Sequence, residues 1–374
     1  MESQSLGIKQ PVQPPPAGGT HSLLKLVLAA VALIILVVVF AGGYSSITGF
    51  LGISEEGKRF AQAPEGLLVL SLAPVPPMPN EFAGIFPATY EATRGGFSYV
   101  PADNLVGVEH PFTEQYRFSS DSRWAVFLGK ELHITDTATT LSAPRVYQSN
   151  LSTATDFQSV IDILRAGTMV SDGPEFKWAP VVSDTGDILY MSIAVEKLPG
   201  TRPDSWEIIY VPLGGGTVRA TQGIYPQWVD SNRFIFLYND GLYIHNIDTN
   251  TSDKLWGTMG TITSGSMIDL SDDKTIIAWS TPESGTVTLL RVLDWNKPTV
   301  TLRGVIPVPG LWPTISPDSS MLAILTDITD ELAPGSSPLF RIAFYSIETL
   351  SLSSVSTDLS IYDPLLTTLT DWRP

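Results

Sequence analysis

The chain has 374 residues, a formal net charge of −16 and no cysteine. A surface this acidic repels nucleic-acid phosphates and anionic headgroups, which disfavours nucleic-acid binding. The absence of cysteine excludes disulfides, thiolate metal sites and lipid attachment to cysteine. It also favours a prokaryotic surface protein, because secreted eukaryotic ectodomains of this size usually carry disulfides.

The N-terminal region divides into three predicted parts. Residues 1–22 are rich in Pro, Gln, Gly and Ser, and we expect a disordered cytoplasmic tail because such a composition buries too little apolar surface to fold. Residues 23–43 read LLKLVLAAVALIILVVVFAGG, with Lys25 as their only charge. About 20 apolar residues suffice to span a bilayer. Residues 44–65 are interpreted as a tether to the region that follows.

The apolar run at 23–43 has two interpretations. A cleaved signal peptide has an apolar core of about 7 to 15 residues behind a short basic segment, whereas this run is longer and follows a Pro-rich leader. The length favours an uncleaved, single-pass signal anchor, although Val39-Phe40-Ala41 offers small-residue cleavage chemistry. Because the bulk of the chain follows the run, we expect the N-terminus in the cytoplasm and residues 66–374 outside the cell membrane.

From residue 66 onward, short apolar runs alternate with Gly, Pro, Asn and Asp, a texture typical of all-β folds. One phrase recurs, consisting of an apolar stretch, a polar turn and a second apolar stretch. Five complete copies and a sixth that ends in its turn lie at 117–127, 181–190, 227–236, 269–278, 314–323 and 371–374. The copies begin 64, 46, 42, 45 and 57 residues apart. A period of roughly 40–50 residues is typical of a propeller blade, and the longer intervals contain insertions.

Each unit is predicted to contain four strands. The strand after the polar turn is almost continuously apolar, as expected where both faces of a sheet are covered by neighbours. Trp228 and Trp372 share one position in the repeat, while Trp178 and Trp312 lie slightly earlier, and all four are expected to fill space between blades. In the third copy the four strands are predicted at 226–229, 234–238, 241–246 and 251–256.

The incomplete sixth copy predicts how the ring closes. A first strand at the C-terminus needs partners, and the N-terminal part of the region offers candidate strands at 67–72, 83–92 and 96–100. Pairing the two chain ends would remove two exposed sheet edges. The sequence therefore predicts an all-β, six-bladed β-propeller at 66–374, closed by its N- and C-terminal strands and preceded by one transmembrane helix. A single short helix is expected at 157–164.

The repeat resembles that of TolB-type β-propellers, whose consensus runs roughly Pro-x-Trp-Ser-Pro-Asp-Gly before an apolar strand. The nearest matches are Trp312-Pro-Thr-Ile-Ser-Pro-Asp-Ser319 and Thr370-Asp-Trp-Arg-Pro374. The resemblance covers residues 66–374 and implies the six blades of that family. It is one of architecture, because TolB itself is periplasmic and partners envelope proteins, whereas this chain departs from it by its predicted membrane anchor.

No catalytic, cofactor-binding or metal-binding set is predicted. The sequence has no Gly-x-Ser-x-Gly elbow, and Gly214-Gly215-Gly216 is interpreted as a turn because no helix follows it to cradle a phosphate. The aspartates of the turns at 184–187 and 272–273 are interpreted as caps rather than Ca²⁺ ligands. The four histidines are His21, His110, His133 and His245. His21 abuts the predicted membrane span, and His133 and His245 are interpreted as solvent-facing or satisfied strand residues because neither has a carboxylate or second histidine at ligand spacing.

These observations predict a binding or scaffolding module for an envelope protein, a peptide or a glycan, and not an enzyme. Contacts are expected at the central funnel of the propeller or at the insertions 149–174 and 327–338, with the lipid bilayer contacted through the anchor. The alternative is a propeller hydrolase or lyase acting on extracellular carbohydrate or peptide. It requires acidic and Tyr or His side chains from several blades to converge at the funnel.

Overall fold

The computed structural model describes the region after the predicted tether, with gaps. The predicted tail, membrane span and tether lie outside it, as do His21 and His110. Within it, no helix has the length and apolar character needed to cross a membrane. The described residues are 67–72, 86–91, 96–99, 112–130, 132–134, 139–141, 143–155, 157–171, 173–197, 202–257, 262–263, 266–281, 285–308, 310–327, 340–355 and 368–373.

Strands dominate the described ranges, accompanied by one α-helix, α1 (Phe157–Arg165), and two 3₁₀ turns at Val195–Lys197 and Pro203–Ser205. In chain order the strands are β1 (Leu67–Leu72), β2 (Phe86–Glu91), β3 (Gly96–Tyr99), β4 (Phe112–Phe118), β5 (Trp124–Lys130), β6 (Leu132–Ile134), β7 (Thr139–Leu141), β8 (Arg145–Asn150), β9 (Thr168–Ser171), β10 (Phe176–Val182), β11 (Ile188–Ile193), β12 (Glu207–Val211), β13 (Val218–Gln222), β14 (Ile224–Trp228), β15 (Arg233–Tyr238), β16 (Gly241–Asn246), β17 (Thr251–Gly257), β18 (Met267–Leu270), β19 (Ile276–Thr281), β20 (Thr286–Asp294), β21 (Thr299–Ile306), β22 (Gly310–Ile315), β23 (Met321–Asp327), β24 (Phe340–Ser346), β25 (Leu352–Val355) and β26 (Thr368–Arg373).

The strands form an all-β propeller. Five four-stranded sheets each come from one stretch of chain, namely blade 1 (β4-β5-β8-β9), blade 2 (β10–β13), blade 3 (β14–β17), blade 4 (β18–β21) and blade 5 (β22–β25). A further four-stranded sheet, here the closing sheet, has the order β26-β1-β2-β3. The structure therefore shows five blades among the described residues, whereas the sequence predicted six with the last shared between the chain ends. The remaining four-stranded sheet is assembled from both ends of the region.

The closing sheet joins distant parts of the sequence as predicted. β26 pairs antiparallel with β1, placing Trp372 opposite Leu68, and β1 pairs on its other edge with β2. β26 also lies against β22 of blade 5 and β4 of blade 1. The predicted pairing of the C-terminal strand with an N-terminal strand is therefore confirmed, and it covers the edges that both strands would otherwise expose.

Several predicted elements agree with the structure to within a few residues. Blade 3 was predicted strand by strand, and its second hairpin, at Gly241, falls where Asn239-Asp240-Gly241 indicated. β1 has the predicted bounds, and α1 extends one residue past the predicted 157–164. The insertions in blade 1 carry the hairpin β6-β7 and α1, while the predicted insertion at 327–338 lies almost wholly outside the described residues.

Hydrophobic packing between sheets forms the core. In the contact between blades 1 and 2, Val126 and Leu128 pack with Ile188 and Val211, and all four are buried. Trp228 packs edge-on against Tyr210 and Phe234, each at a ring distance of 6.2 Å. Trp372 packs edge-on against Phe344 of blade 5 at 5.7 Å and is 1% exposed. The prediction that Trp228 and Trp372 fill space between blades is confirmed.

The polar turn of the repeat has a defined hydrogen-bond pattern. In blade 1, Ser119 Oγ donates to Asp121 at 2.7 Å and accepts from the N–H of Trp124 at 3.0 Å. Partial burial raises the pKa of Asp121, but hydrogen bonds from Ser119 and Arg123 outweigh it and hold that pKa below its usual value. Ser316 and Asp318 repeat the pattern in blade 5. The Ser-x-Asp sequence therefore satisfies the backbone groups that the turn exposes.

Candidate functional site

The innermost strand of every sheet faces the propeller axis. Neighbouring innermost strands contact one another in the order β4, β10, β14, β18, β22 and β26, and β26 contacts β4 again. The ring is therefore continuous around the axis through the described strands. Within it, blade 1 and blade 4 stand opposite each other, because two sheets separate them on either side.

A cavity opens on the axis at the end where the innermost strands run into the Ser-x-Asp turns. Its volume is about 160 Å³, and we call it the funnel. All six four-stranded sheets contribute to its wall. The lining residues are Arg117, Phe118, Ser120, Val181, Val182, Ser183, Asp184, Thr185, Gln227, Trp228, Val229, Asp230, Ser231, Asp269, Leu270, Asp272, Lys274, Ile315, Asp371 and Trp372.

An ion pair crosses the axis at the floor of the funnel. Arg117 Nη1 of blade 1 lies 3.2 Å from Asp269 Oδ1 of blade 4, with side-chain exposures of 17% and 7%. Because these blades are opposite, the bond spans the channel instead of joining neighbours. Arg117 also lines a second, smaller cavity of about 10 Å³ deeper on the axis, together with Gln115, Tyr225 and Trp312. Arg117, Val181 and Gln227 line both cavities and therefore lie between the funnel and the deeper cavity.

Two carboxylates at the floor each accept a hydrogen bond from the neighbouring sheet. Asp269 Oδ2 accepts from the N–H of Ile315 in blade 5 at 2.8 Å. Asp371 Oδ2 of the closing sheet accepts from the N–H of Phe118 in blade 1, also at 2.8 Å. Burial raises the pKa of Asp269 above its usual range, opposed by the charge of Arg117 and the Ile315 N–H and reinforced by the charge of Asp371.

Below the ion pair, three aromatic side chains fill the channel; we call Trp178, Tyr225 and Trp312 the aromatic plug. Trp178 of blade 2 and Trp312 of blade 5 lie 6.1 Å apart across the axis. Trp178 Nε1 donates to Tyr225 Oη at 3.2 Å, and burial raises the pKa of Tyr225 to about 12, so its hydroxyl stays neutral. The funnel is therefore a blind pocket. Trp178 and Trp312, predicted to lie between blades, fill the axis instead.

The aromatic plug depends on an unusual backbone conformation. Tyr225 and Trp312 have φ values of 52° and 54°, as Gln115 and Ala179 have 55° and 46° at equivalent points of their strands. Each lies where the register with the next strand shifts, which marks a β-bulge. Bulges redirect side chains, and a bulky residue at positive φ is strained. Repetition of the bulge in four innermost strands indicates that it shapes the channel.

The rim of the funnel carries more carboxylates than cations. Asp184 accepts from Ser120 Oγ at 2.8 Å and from the N–H of Asp121 at 3.1 Å, joining the turns of blades 1 and 2. Asp230 pairs with Arg233 in its own turn, at 2.6 Å. The lining includes five aspartates but only Arg117 and Lys274 as cations. The site is therefore suited to basic or hydrogen-bond-donating groups.

The two described histidines and the glycine run that the sequence analysis set aside are not among the residues that line the funnel. His245 is 2% exposed, with Nδ1 2.9 Å from Ser252 Oγ and its ring 5.0 Å from that of Phe234, and burial lowers its pKa. It is the satisfied strand residue that was expected. Gly214-Gly215-Gly216 forms the turn before β13. His133 lies on β6, away from the innermost strands.

The turn aspartates have the capping contacts predicted for them. Asp187 Oδ1 accepts from the N–H of Leu213 at 2.7 Å, and Asp273 Oδ1 accepts from the N–H of Thr275 at 3.0 Å. Asp184 caps the neighbouring turn and also lines the funnel. In the described ranges, no group of three or more His, Asp or Glu side chains is arranged to hold a metal ion.

Sequence reasoning missed the three charged residues at the floor, Arg117, Asp269 and Asp371. All occupy one repeat position, the first residue of the copies that begin at 117, 269 and 371. Val181, Gln227 and Thr314 hold this position in the other copies. The available signal was a charged residue recurring at the start of an apolar stretch. One face of an innermost strand points toward the axis, so such a charge indicates a residue that lines the channel.

Comparison with solved structures identifies the architecture. TolB from Acinetobacter baumannii superposes with a TM-score of 0.50 at 15% identity, over 88% of this chain and 70% of that one. Hydrazine synthase from Kuenenia stuttgartiensis gives a TM-score of 0.50 at 11% identity, over 84% of this chain but only 47% of that one. A protein from Lactobacillus plantarum gives 0.44 at 11% identity, over 82% of this chain and 99% of that one.

At such low identities the likeness shows the fold alone. No protein-family model and no curated protein sequence matches the chain. The chain has a TolB-like β-propeller fold, with a blind, acidic funnel on its axis.

Proposed function

We propose that this TolB-like propeller is a binding or scaffolding module that receives a protein or peptide partner at the funnel. The observation that carries the proposal is the blind acidic pocket, to which all six four-stranded sheets contribute. Since the aromatic plug fills the axis below it, a partner would enter from the rim and stop at the Arg117–Asp269 pair. Basic side chains of the partner would meet the aspartates of the rim.

We further propose that the closing sheet acts as a sixth blade and that residues 23–43 anchor the propeller outside the cell membrane as a single-pass helix. The first part is supported by the contacts of β26 with β4 and β22. The second is supported by the length of the apolar run. Together they describe a prokaryotic envelope protein that displays its funnel to an envelope protein, a peptide or a glycan.

The binding proposal can be tested with a charged obstruction at the rim. Ser231 is exposed and lines the funnel, so Ser231→Arg adds a bulky cation to the acidic pocket. Full-length protein in its native membrane would be cross-linked, and co-purified partners quantified by mass spectrometry. We expect at least one partner to be lost with Ser231→Arg.

Thr301→Arg is the matched control, because Thr301 is exposed on β21, the outer strand of blade 4. It makes the same change of charge and size away from the axis. The partner lost with Ser231→Arg should be retained with Thr301→Arg. If both variants keep every partner that the unaltered protein binds, the funnel is not the docking site.

A propeller hydrolase or lyase acting on carbohydrate or peptide is the second candidate. It is favoured by the convergence of carboxylates from several sheets, including Asp269 and Asp371. An enzyme of this kind was also expected to place Tyr or His side chains at the funnel, and among the described residues the lining contains neither. Turnover of a glycoside or peptide substrate that disappears in Asp371→Asn, while substrate binding persists, would favour this candidate over a binding module.

The membrane orientation has a separate test. Protease added outside intact cells should remove the propeller and leave a short anchored fragment, because the predicted tether at 44–65 would be accessible. Immunodetection of an N-terminal tag and of a propeller epitope reports both products. Protection of the propeller in intact cells, with digestion after lysis, would reverse the orientation.

A further inference from the structure

We propose that Arg117, Asp269 and Asp371 form a pH-dependent latch that closes the deeper axial cavity off from the funnel when Asp269 is ionised and opens it to the funnel when Asp269 is protonated. The latch is a property of the folded ring and does not require a partner. It would regulate how deep the axial pocket is, and so what can enter it.

The latch is an ion pair that spans the channel between opposite blades. Arg117 belongs to blade 1 and Asp269 to blade 4, on opposite sides of the axis, and their 3.2 Å contact bridges the channel. Asp269 is fixed at its end by the Ile315 N–H. Asp371 lies on the strand next to that of Arg117, where it accepts from the Phe118 N–H. Its charge therefore offers the guanidinium an alternative site on its own side of the channel.

The balance of charges makes Asp269 the group that titrates. It is buried, and burial raises its pKa while the repulsion of Asp371 adds to that shift and Arg117 opposes it. Asp269 accepts from the Ile315 N–H of β22 and lies opposite Ala278 of β19. Gln227 of β14 lines the same cavity, and its side-chain amide donates to the carbonyl of Ile268, next to Asp269. The charged groups that share its cavity are Arg117, Asp371, Asp184, Asp230, Asp272 and Lys274.

Protonation of Asp269 removes the anion that holds Arg117 across the axis. Among the remaining carboxylates of the cavity, Asp371 lies on the strand adjacent to that of Arg117, and it then attracts the guanidinium to that side. Arg117, Val181 and Gln227 line both the funnel and the deeper cavity, and Arg117 is the one of the three held there by an ion pair across the axis. Its withdrawal would widen the passage between the two spaces. The aromatic plug would then form the floor of a deeper pocket.

A single introduced thiol can report this opening, because the chain has no cysteine. Ala179→Cys places a thiol beside the deeper cavity with little change in size. Ser231→Cys places one at the exposed rim. The ratio of their labelling rates by a small thiol reagent cancels the pH dependence of the thiolate to first order. In full-length protein we expect this ratio to rise as the pH falls from about 8 to about 4, by about tenfold, because the pKa of Asp269 lies above its ordinary value.

Asp269→Asn supplies the permanently uncharged state with nearly unchanged shape. In that background the ratio should already be high at about pH 8 and should stay constant on acidification. A ratio that does not change with pH in the native background overturns the proposal, whether or not Asp269→Asn folds. If Asp269→Asn folds and retains the pH dependence of the unaltered protein, the proposal is overturned as well, because another group then controls access.

Discussion

At the scale of single residues, one position of the repeat decides what the propeller axis presents. It holds Arg117, Asp269 and Asp371 in three of the six copies, and these residues build the floor of the funnel. Burying such charges is costly unless they are paired and hydrogen-bonded. Here the carboxylates accept backbone N–H groups from the next sheet, so the charged floor also ties neighbouring sheets together.

His245 leads to a prediction about acid stability. Burial lowers its pKa below the ordinary value of 6.5, so the unfolded chain binds a proton at a higher pH than the folded chain. Its stabilising contribution is therefore complete above about pH 6.5 and is lost as the pH falls through the folded-state pKa. We expect the free energy of unfolding to decline on acidification, and to decline less in His245→Asn, as measured by chemical denaturation.

The contribution of Asp269 to stability depends on pH in the opposite sense, so it must be separated from that of His245. Its raised pKa gives a contribution that is complete at low pH and is lost as the pH rises through the folded-state value. The difference between the unaltered protein and His245→Asn isolates the histidine, since Asp269 is common to both. A difference that stays constant with pH would show that His245 does not titrate as predicted.

At the scale of elements, the turn between the first and second strands carries most of the repeat's sequence identity. Its serine and aspartate satisfy backbone groups, and its next residue adopts positive φ, at Gly186 with 89° and at Ser122 with 58°. Glycine adopts such angles without the steric cost that other residues incur. The residue at this turn position is therefore well suited to positive φ in blade 2, where it is Gly186, and less well suited in blade 1, where it is Ser122.

Substitutions at these two positions should change stability in opposite directions. Gly186→Ala should lower the free energy of unfolding by about 1–2 kcal/mol from the backbone conformation alone. A Cβ at this position would also lie 2.9 Å from Trp124 Cε2. Ser122→Gly, at an exposed position, should raise stability by about 0.5 kcal/mol. Denaturant titration of both variants checks the signs, and a shift of equal sign in both would contradict the account.

At the scale of the whole molecule, closure of the ring depends on the last six described residues. β26 supplies the innermost strand of the closing sheet, the buried Trp372 and the Asp371 bond to blade 1. A ring joined by side-chain and strand contacts at every boundary should unfold as one unit. Closure therefore links the stability of blades 1 and 5 to a strand at the far end of the sequence.

Deletion of residues 369–374 should abolish cooperative unfolding of the propeller, because it removes most of β26 and exposes the edge of β1. Trp372→Ala should keep cooperativity and lower stability by about 3–5 kcal/mol, the usual cost of removing a large buried aromatic. Calorimetry distinguishes the two outcomes. Cooperative unfolding of the deletion variant at the temperature of the unaltered protein would contradict the shared closing sheet.

The sequence by itself determined the strand pattern, the turns and the pairing of the chain ends, because these depend on local periodicity and on turn chemistry that repeats along the chain. The hairpin at Gly241 and the strand at Leu67–Leu72 were predicted from such local signals. Only the tertiary structure decided that Arg117 meets Asp269 and that Trp178 meets Trp312, since both contacts cross the axis between opposite blades. Contacts across a ring join residues far apart in sequence, and which side chain faces the axis depends on bulges such as that at Tyr225, which no local pattern revealed.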